Sequence, residues 1–273
     1  MMNFEDYQRE YNCTHLAHTE QSQVFLVEDG SIKKICKRFN NAVEKEFEEN
    51  AYNFVKNNKL LKTPSITCIG ADFLEMEFIE KLKEPRTEEV INNIARLYLS
   101  TINSSKKLTF PSRNLSKDKL ASRISYLYLE FEDKGIKEDG LLSKAKEFVE
   151  RRYDPSPHLC LVHGDLKSPH IIPSKKEIYY IDLGLMSIAS PWYDLAFLFM
   201  EKSDKEGFLE KLTSISYEAF GKDLGSRKME IKDFLISGIF YRCLYNLGFA
   251  LRHRPIKTIN RTMGELKEII MKK

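Results

Sequence analysis

Hydrophobic and polar positions alternate along residues 23–39, QVFLVEDGSIKKICKRF, where two runs rich in β-branched and aromatic residues flank an Asp-Gly pair. Alternation of period two around such a turn signal predicts a β-hairpin and the start of a sheet. The spacing then lengthens. Phe47, Ala51 and Val55 recur every fourth residue within the Glu-rich EKEFEENAYNFV, which predicts a charged helix over 43–55 whose single apolar stripe lies across the sheet. Two more strand-like runs follow Pro64, SITCIG and DFLEMEFIE, and a Lys-Glu-Pro cluster at 83–85 closes the region.

Helical periodicity dominates the remainder. Thr87 can cap a helix carrying Val90, Ile91, Ile94, Leu97 and Tyr98, Leu120, Ile124, Leu127 and Phe131 mark another that stops at Gly135, and a third covers about 141–151. Residues 158–184 interrupt with two short apolar strands, LCLVHGD and EIYYIDLG, before helices resume at about Asp194 and run nearly to Lys273. The pattern predicts an α+β protein with a β-rich small lobe over 1–80 and a larger helical lobe over 81–273, without internal repeats or long linkers.

Composition narrows this picture mainly by exclusion. The 43 Lys and Arg residues against 40 Asp and Glu leave a formal charge of +3 on 273 residues, which gives no nucleic-acid signal. The five cysteines are scattered, with no CxxC or Cys/His ligand spacing, so free thiols in a reducing, cytoplasmic setting are expected. Glu5, Asp6, Arg9 and Glu10 interrupt the N-terminus, which does not read as a secretion signal, and apolar runs such as 195–200 are too short to span a bilayer. No obligate protein partner is evident in the pattern.

The candidate chemistry sits in the β-rich insert. Leu161-Val162-His163-Gly164-Asp165-Leu166 and Tyr180-Ile181-Asp182-Leu183-Gly184 each end an apolar strand in a carboxylate. Phosphoryl transfer needs one carboxylate to orient the attacking hydroxyl and accept its proton, and another to hold Mg²⁺ on the phosphates. Asp165 and Asp182 suit those two tasks.

These residues resemble the protein-kinase-like superfamily and, within it, the aminoglycoside phosphotransferase and choline kinase branch, whose signature reads HGDxxxxN followed by a strand and IDxG or IDxE. The resemblance implies a two-lobed kinase-like fold, with Asp165 as catalytic base, Asp182 as principal metal ligand and His163 as a prop for the loop. Gly164 permits the tight backbone there. Asp194, in Trp192-Tyr193-Asp194-Leu195-Ala196, matches the residue that opens a helix and anchors the catalytic loop by hydrogen bonds.

His170 stands where the branch expects Asn, five residues after Asp165. An imidazole can ligate a metal, although hard Mg²⁺ prefers oxygen; the alternative is a partly buried histidine packing beneath the loop. The same histidine resembles the lipopolysaccharide core sugar kinases, with their H-x-D-x-x-x-x-H loop. Lys167 resembles the lysine that Ser/Thr kinases bring to the γ-phosphate, the alternative being a solvated surface lysine.

In the small lobe, Lys37 of Ile35-Cys36-Lys37-Arg38-Phe39 resembles the strand lysine that pairs with the α- and β-phosphates, with Lys33 and Lys34 as alternatives. Glu48 is its implied helix partner, with Glu46 and Glu49 as alternatives. Residues 74–79 resemble the hinge strand, whose backbone groups at Glu77 and Ile79 would meet the adenine edge. The loop from Thr19 to Ser22 resembles the glycine-poor phosphate cover of small-molecule kinases, and no GxGxxG precedes the hairpin.

The expected cofactors are therefore ATP and Mg²⁺, and the expected reaction is transfer of the γ-phosphoryl group to a hydroxyl of a small molecule or sugar. From residue 251 onward, Arg252, Arg254, Lys257, Arg261, Lys267, Lys272 and Lys273 face only Glu265 and Glu268. Such a surface would attract an anionic sugar or a lipopolysaccharide-type glycolipid, with peripheral membrane contact, and would serve a polycationic antibiotic poorly; the alternative is a solvated basic helix. The competing functions are a nucleotide-binding pseudokinase, which His170 favours, and a protein Ser/Thr kinase.

Overall fold

The structure is a computed structural model that describes residues 1–271 except Glu20, Asn114, Leu115, Pro155 and Lys176 and the side chains of Ser105 and Lys106. In chain order the elements are α1 (Phe4–Glu10), β1 (Asn12–His18), β2 (Ser22–Asp29), β3 (Ile32–Phe39), α2 (Ala42–Asn57), β4 (Ile66–Ile69), β5 (Phe73–Glu77) and α3 (Thr87–Thr101). There follow α4 (Lys117–Asp133), α5 (Leu141–Arg151), β6 (Cys160–Val162), β7 (Ile171–Pro173), β8 (Ile178–Tyr180), β9 (Ser187–Ala189), α6 (Pro191–Met200), α7 (Lys205–Ser216), α8 (Lys228–His253) and α9 (Ile256–Met271). The class is α+β, as the pattern predicts. The chain forms two compact units, one of Met1–Arg96 with Ser168–Met186, the other of Leu97–Lys167 with Ser187–Lys273.

The first unit is built on an antiparallel sheet of order β1-β2-β3-β5-β4. Its central hairpin is the predicted one, turning at Asp29-Gly30 with Gly30 at a φ of 59°, a value glycine adopts without penalty. One face buries Phe25, Val27, Cys36 and Phe73 together with Phe4 and Tyr7 of α1, a helix the periodicity does not announce. Glu75, nearly inaccessible in β5, accepts hydrogen bonds from Thr67 Oγ1 at 2.6 Å and from the Tyr7 hydroxyl, and pairs with Lys34 Nζ at 3.0 Å. A buried carboxylate satisfied on all sides pins α1 to the sheet.

The helix predicted over 43–55 is α2, capped by the Asn41 side chain, which accepts from the Val43 N–H at 2.8 Å. It packs on β3 and β5 and buries Ala51, Tyr52 and Val55, but also Glu48. The hairpin β7–β8 belongs to this unit because its backbone is tied there. The Tyr180 N–H donates to the Lys62 carbonyl at 2.9 Å, and the Leu82 N–H donates to the Pro173 carbonyl at 3.1 Å. The division between units thus falls inside α3, beyond the pattern boundary at 80, and returns 168–186 to the sheet unit.

The second unit is helical apart from the two-stranded pair β6–β9. Its centre is α8, against which α4, α6, α7 and α9 pack. Pro191 opens α6, and burial of residues 191–199 all round explains why that helix lacks a polar stripe. Gly238 of α8 faces α6 so closely that a Cβ there would lie 2.5 Å from the Trp192 carbonyl oxygen. Among the described residues, α8 is long and apolar enough to cross a membrane by length and composition, yet 72% of its most apolar window is buried within the fold.

Candidate active site

In the first unit three charged side chains distant in sequence converge. Lys37 Nζ lies 2.7 Å from Glu48 Oε2 and 2.7 Å from Asp182 Oδ1. Strand pairing puts Lys37 on the α2 side of β3, while Lys34 meets Glu75 on the opposite face and Lys33 meets Glu28 at the surface. On α2, Glu49 is taken by Lys45, at 3.0 Å. Burial alone would lower the Lys37 ammonium, but the Glu48 and Asp182 carboxylates outweigh it and hold the group above the ordinary lysine range. Glu48 itself is pushed up by burial, with Lys37 pulling the other way.

Asp182 sits in the left-handed region, with φ 61° and ψ 59°. Aspartate tolerates this better than most residues, yet the conformation costs on the order of 1 kcal/mol and persists where surrounding contacts enforce it. Two contacts do so here. The Asp182 N–H donates to the Tyr52 hydroxyl at 3.1 Å, and Asp182 Oδ1 accepts from Lys37 Nζ at 2.7 Å; beside it Gly184 leaves room for Glu48, since a Cβ at Gly184 would come 2.9 Å from Glu48 Oε2. The side chain of Asp182 is 40% exposed, and its second oxygen lies 3.1 Å from His170 Nε2.

At the end of β5, Glu77 donates its N–H to the Ser65 carbonyl at 2.9 Å. Ile79 lies past the strand end, half-buried, and its N–H bonds to no described residue. The Thr19–Ser22 loop closes on itself through the Thr19 N–H and the Ser22 carbonyl, at 2.8 Å; Glu20 within it lies outside the described residues.

In the second unit, the loop after β6 is organised by Asp194. Its carboxylate, fully buried at the start of α6, accepts the N–H of His163 at 2.7 Å, the N–H of Gly164 at 2.8 Å and the Tyr98 hydroxyl at 3.1 Å. Burial pushes the Asp194 carboxyl up, while His163 and the three donors work against that rise. Gly164 adopts a φ of 87°, and the His163 ring accepts the Asp165 N–H through Nδ1 at 3.3 Å. The loop delivers Asp165, nearly buried, beside Lys167, whose Nζ lies 2.6 Å from Asp165 Oδ2.

The structure thus brings Lys37, Glu48, Asp182 and His170 together in one unit and Asp165 with Lys167 in the other. Sequence reasoning overlooked Tyr52 as a polar contact, although its spacing of four residues from Glu48 places both on one face of α2. For one magnesium ion the donor set fits. Asp182 offers the hard oxygen that Mg²⁺ prefers and His170 a nitrogen, a short list that suits an ion otherwise coordinated by phosphates and water.

The chain is similar in structure to a type I macrolide 2'-phosphotransferase, at a TM-score of 0.71 and 15% identity over 97% of this chain and 98% of the other. It is also similar to an APH(2")-IIa structure solved with gentamicin, at 0.67 and 16% over 98% and 97%. Choline kinase from Cryptosporidium parvum matches at 0.62 and 17% over 96% and 91%. At these identities the likeness shows the fold, which is the protein-kinase-like one with a small antiparallel-sheet lobe and a helical lobe. No curated protein sequence matches the chain. The model of the APH phosphotransferase enzyme family matches residues 13–213. A match over that much of the chain, carrying both the Asp165 loop and the Asp182 turn, makes this protein a member of the phosphotransferase enzyme family.

Proposed function

We propose that this phosphotransferase moves the γ-phosphoryl group of ATP to a hydroxyl of a small molecule, with an anionic sugar or a lipopolysaccharide-type headgroup as the acceptor. The observation that carries the reading is the contact of Lys37 with Glu48 and Asp182, a cation held charged between two carboxylates on the sheet unit. Lys37 would bind the α- and β-phosphates, Glu48 would fix its position, and the backbone of Glu77 and Ile79 would meet the adenine. Asp182 and His170 would hold Mg²⁺, which when bound offsets the charge of the phosphates.

Asp165 would orient the acceptor hydroxyl and take its proton as the oxygen attacks phosphorus, the bond to the bridging oxygen breaks and ADP leaves. Lys167, beside Asp165, would place positive charge near the transferring group. A small-molecule acceptor is supported by the solved structures this chain resembles, which include a complex with gentamicin and a choline kinase. Support for an anionic acceptor comes from Arg252, Arg254, Lys257, Arg261 and Lys267, all exposed along the end of α8 and α9; Lys272 and Lys273 lie outside the described residues. The same charge would favour contact with an anionic membrane surface, and a cytoplasmic site of action is part of the proposal.

The test is transfer of radiolabelled γ-phosphate from Mg·ATP to a panel of neutral, cationic and anionic hydroxyl compounds. The expected result is label on an anionic sugar, lost in Asp165→Asn. His170 in place of Asn favours a second reading, a pseudokinase that binds nucleotide without turnover. Nucleotide binding with no transfer to any member of the panel would favour that reading.

A further inference from the structure

The helical unit carries three guanidinium groups that the phosphotransferase machinery does not use, Arg113 in the segment before α4, Arg123 on α4 and Arg242 on α8, with aromatic rings of α6 and α8 beside them. Arg113 donates through Nη1 to the Tyr193 hydroxyl at 2.8 Å. Tyr193 lies 5.4 Å, ring to ring, from Tyr241, the neighbour of Arg242 on α8. Arg242 sits 3.8 Å from the Phe197 ring and 5.2 Å from the exposed ring of Tyr245. Arg123 of α4 reaches α8 at Gly248, where a Cβ would lie 2.2 Å from Nη2, and sits 5.7 Å from the exposed ring of Tyr126.

Arg123 and Arg242 are unusual in what they lack. Among the described residues neither makes an ion pair or a hydrogen bond, and Arg123 Nη2 is enclosed with no partner at all. Both side chains are partly buried, and an enclosed N–H such as that at Arg123 Nη2 is ordinarily matched by an acceptor, because leaving it unpaired is costly. Here aromatic rings hold the cations in place without engaging their N–H donors. Burial pushes the Tyr241 phenol up, and the opposing charges that act on it most strongly are Arg113, Arg123 and Arg242, so all three lie within electrostatic reach of one hydroxyl. The planar fork of arginine matches the oxygens of a phosphate or carboxylate, and exposed tyrosine rings offer flat faces to a sugar ring.

We propose that Arg113, Arg123 and Arg242 form an anion-binding subsite of the helical lobe that takes the phosphate or carboxylate of a sugar-like ligand, flanked by Tyr126 and Tyr245. That the ligand is the acceptor rests on the phosphotransferase reading above; that the site binds an anion does not. The subsite accounts for two arginines with no carboxylate partner and for a glycine at the one place on α8 where Arg123 needs room. A free sugar phosphate and a phosphorylated lipid headgroup share this chemistry.

The test is calorimetric titration of the full chain, saturated with ADP to occupy the nucleotide site, with glucose 6-phosphate and with glucose. Glucose 6-phosphate should bind at least about tenfold more tightly than glucose. Arg242→Gln and Arg123→Gln should each weaken glucose 6-phosphate by about tenfold and leave ADP affinity unchanged, whereas Arg123→Lys, which retains the charge and most of the packing, should retain part of the binding. Vesicles of phosphatidylcholine with and without phosphatidic acid identify the source. Binding that appears only on the phosphatidic acid vesicles and falls in Arg242→Gln supports the site with a lipid-borne anion. Equal affinity for glucose and glucose 6-phosphate with no vesicle binding, or anion binding untouched by both Gln variants, overturns the subsite. Failure of ADP to bind, with the arginine-dependent anion binding intact, would instead count against the nucleotide assignment and leave the subsite standing.

Discussion

Lys37 Nζ and Asp182 Oδ1 lie 2.7 Å apart across 145 residues of sequence. The contact joins the strand β3 to the turn that follows β8, and it places the lysine between the helix carboxylate of Glu48 and the half-exposed carboxylate of Asp182. Removing the cation would leave Glu48 buried and uncompensated. Lys37→Met should therefore cost on the order of 3 kcal/mol of stability, and adding Glu48→Gln should recover at least about 1 kcal/mol of it. Chemical denaturation of the single and double variants checks this, and simple additivity of the two losses would contradict the coupling.

Gly184 is fixed by the same cluster. A Cβ there meets Glu48 Oε2 at 2.9 Å, so Gly184→Ala should displace the carboxylate that positions Lys37. The expected outcome is Mg·ATP affinity reduced by about tenfold with little change in unfolding temperature. Wild-type affinity in this variant would show that Glu48 has freedom to shift without consequence.

Asp194 is predicted to act through the backbone. Replacing it with Ala leaves the N–H groups of His163 and Gly164 and the Tyr98 hydroxyl without an acceptor in a buried place. The cost should be on the order of 3 kcal/mol, accompanied by loss of turnover as the Asp165 loop relaxes. A variant that unfolds at the wild-type denaturant concentration would remove Asp194 from this role.

The pH dependence of stability should bear the mark of Glu75. Burial raises its carboxyl, but hydrogen bonds from Thr67 and Tyr7 and the Lys34 ammonium outweigh that and hold it below the ordinary range. A carboxyl lowered on folding stabilises the fold above its unfolded value of about 4.3, and that contribution is lost as pH falls through the folded value. Glu75→Gln should accordingly be less stable than wild type at neutral pH, and the gap should narrow below about pH 4.3. Thermal melts across that range decide it; a gap that widens in acid would reverse the sign.

Much of the small lobe is legible in the sequence because its signals are local. The alternation around Asp29-Gly30 gives the hairpin, and the stripe through Ala51 and Val55 gives α2. Helix α1 is not, since Phe4 and Tyr7 acquire meaning only from the sheet face they cover. Strands β7 and β9 span three residues each, too short to display a period. The two Asp motifs stand out as strand ends, and alternation puts Lys33 and Lys37 on one face. What separates Lys37 from Lys34 is that Glu48 lies over one and Glu75 under the other, a fact of tertiary packing. Arg113, Arg123 and Arg242 carry no motif, because they come from the segment before α4, from α4 and from α8, far apart in sequence.

The most direct test of the nucleotide site is the unfolding temperature of the protein with saturating ATP, with and without Mg²⁺, in wild type and in Asp182→Asn. Nucleotide at about 100 times its dissociation constant stabilises a fold by about 2.7 kcal/mol, or roughly 5 °C for a chain of this size. The expected result is a rise of that order in wild type that depends on Mg²⁺ and shrinks in Asp182→Asn. A shift that is independent of Mg²⁺, or one that Asp182→Asn leaves intact, would contradict the assignment of Asp182 beside Lys37 as the phosphate-binding centre.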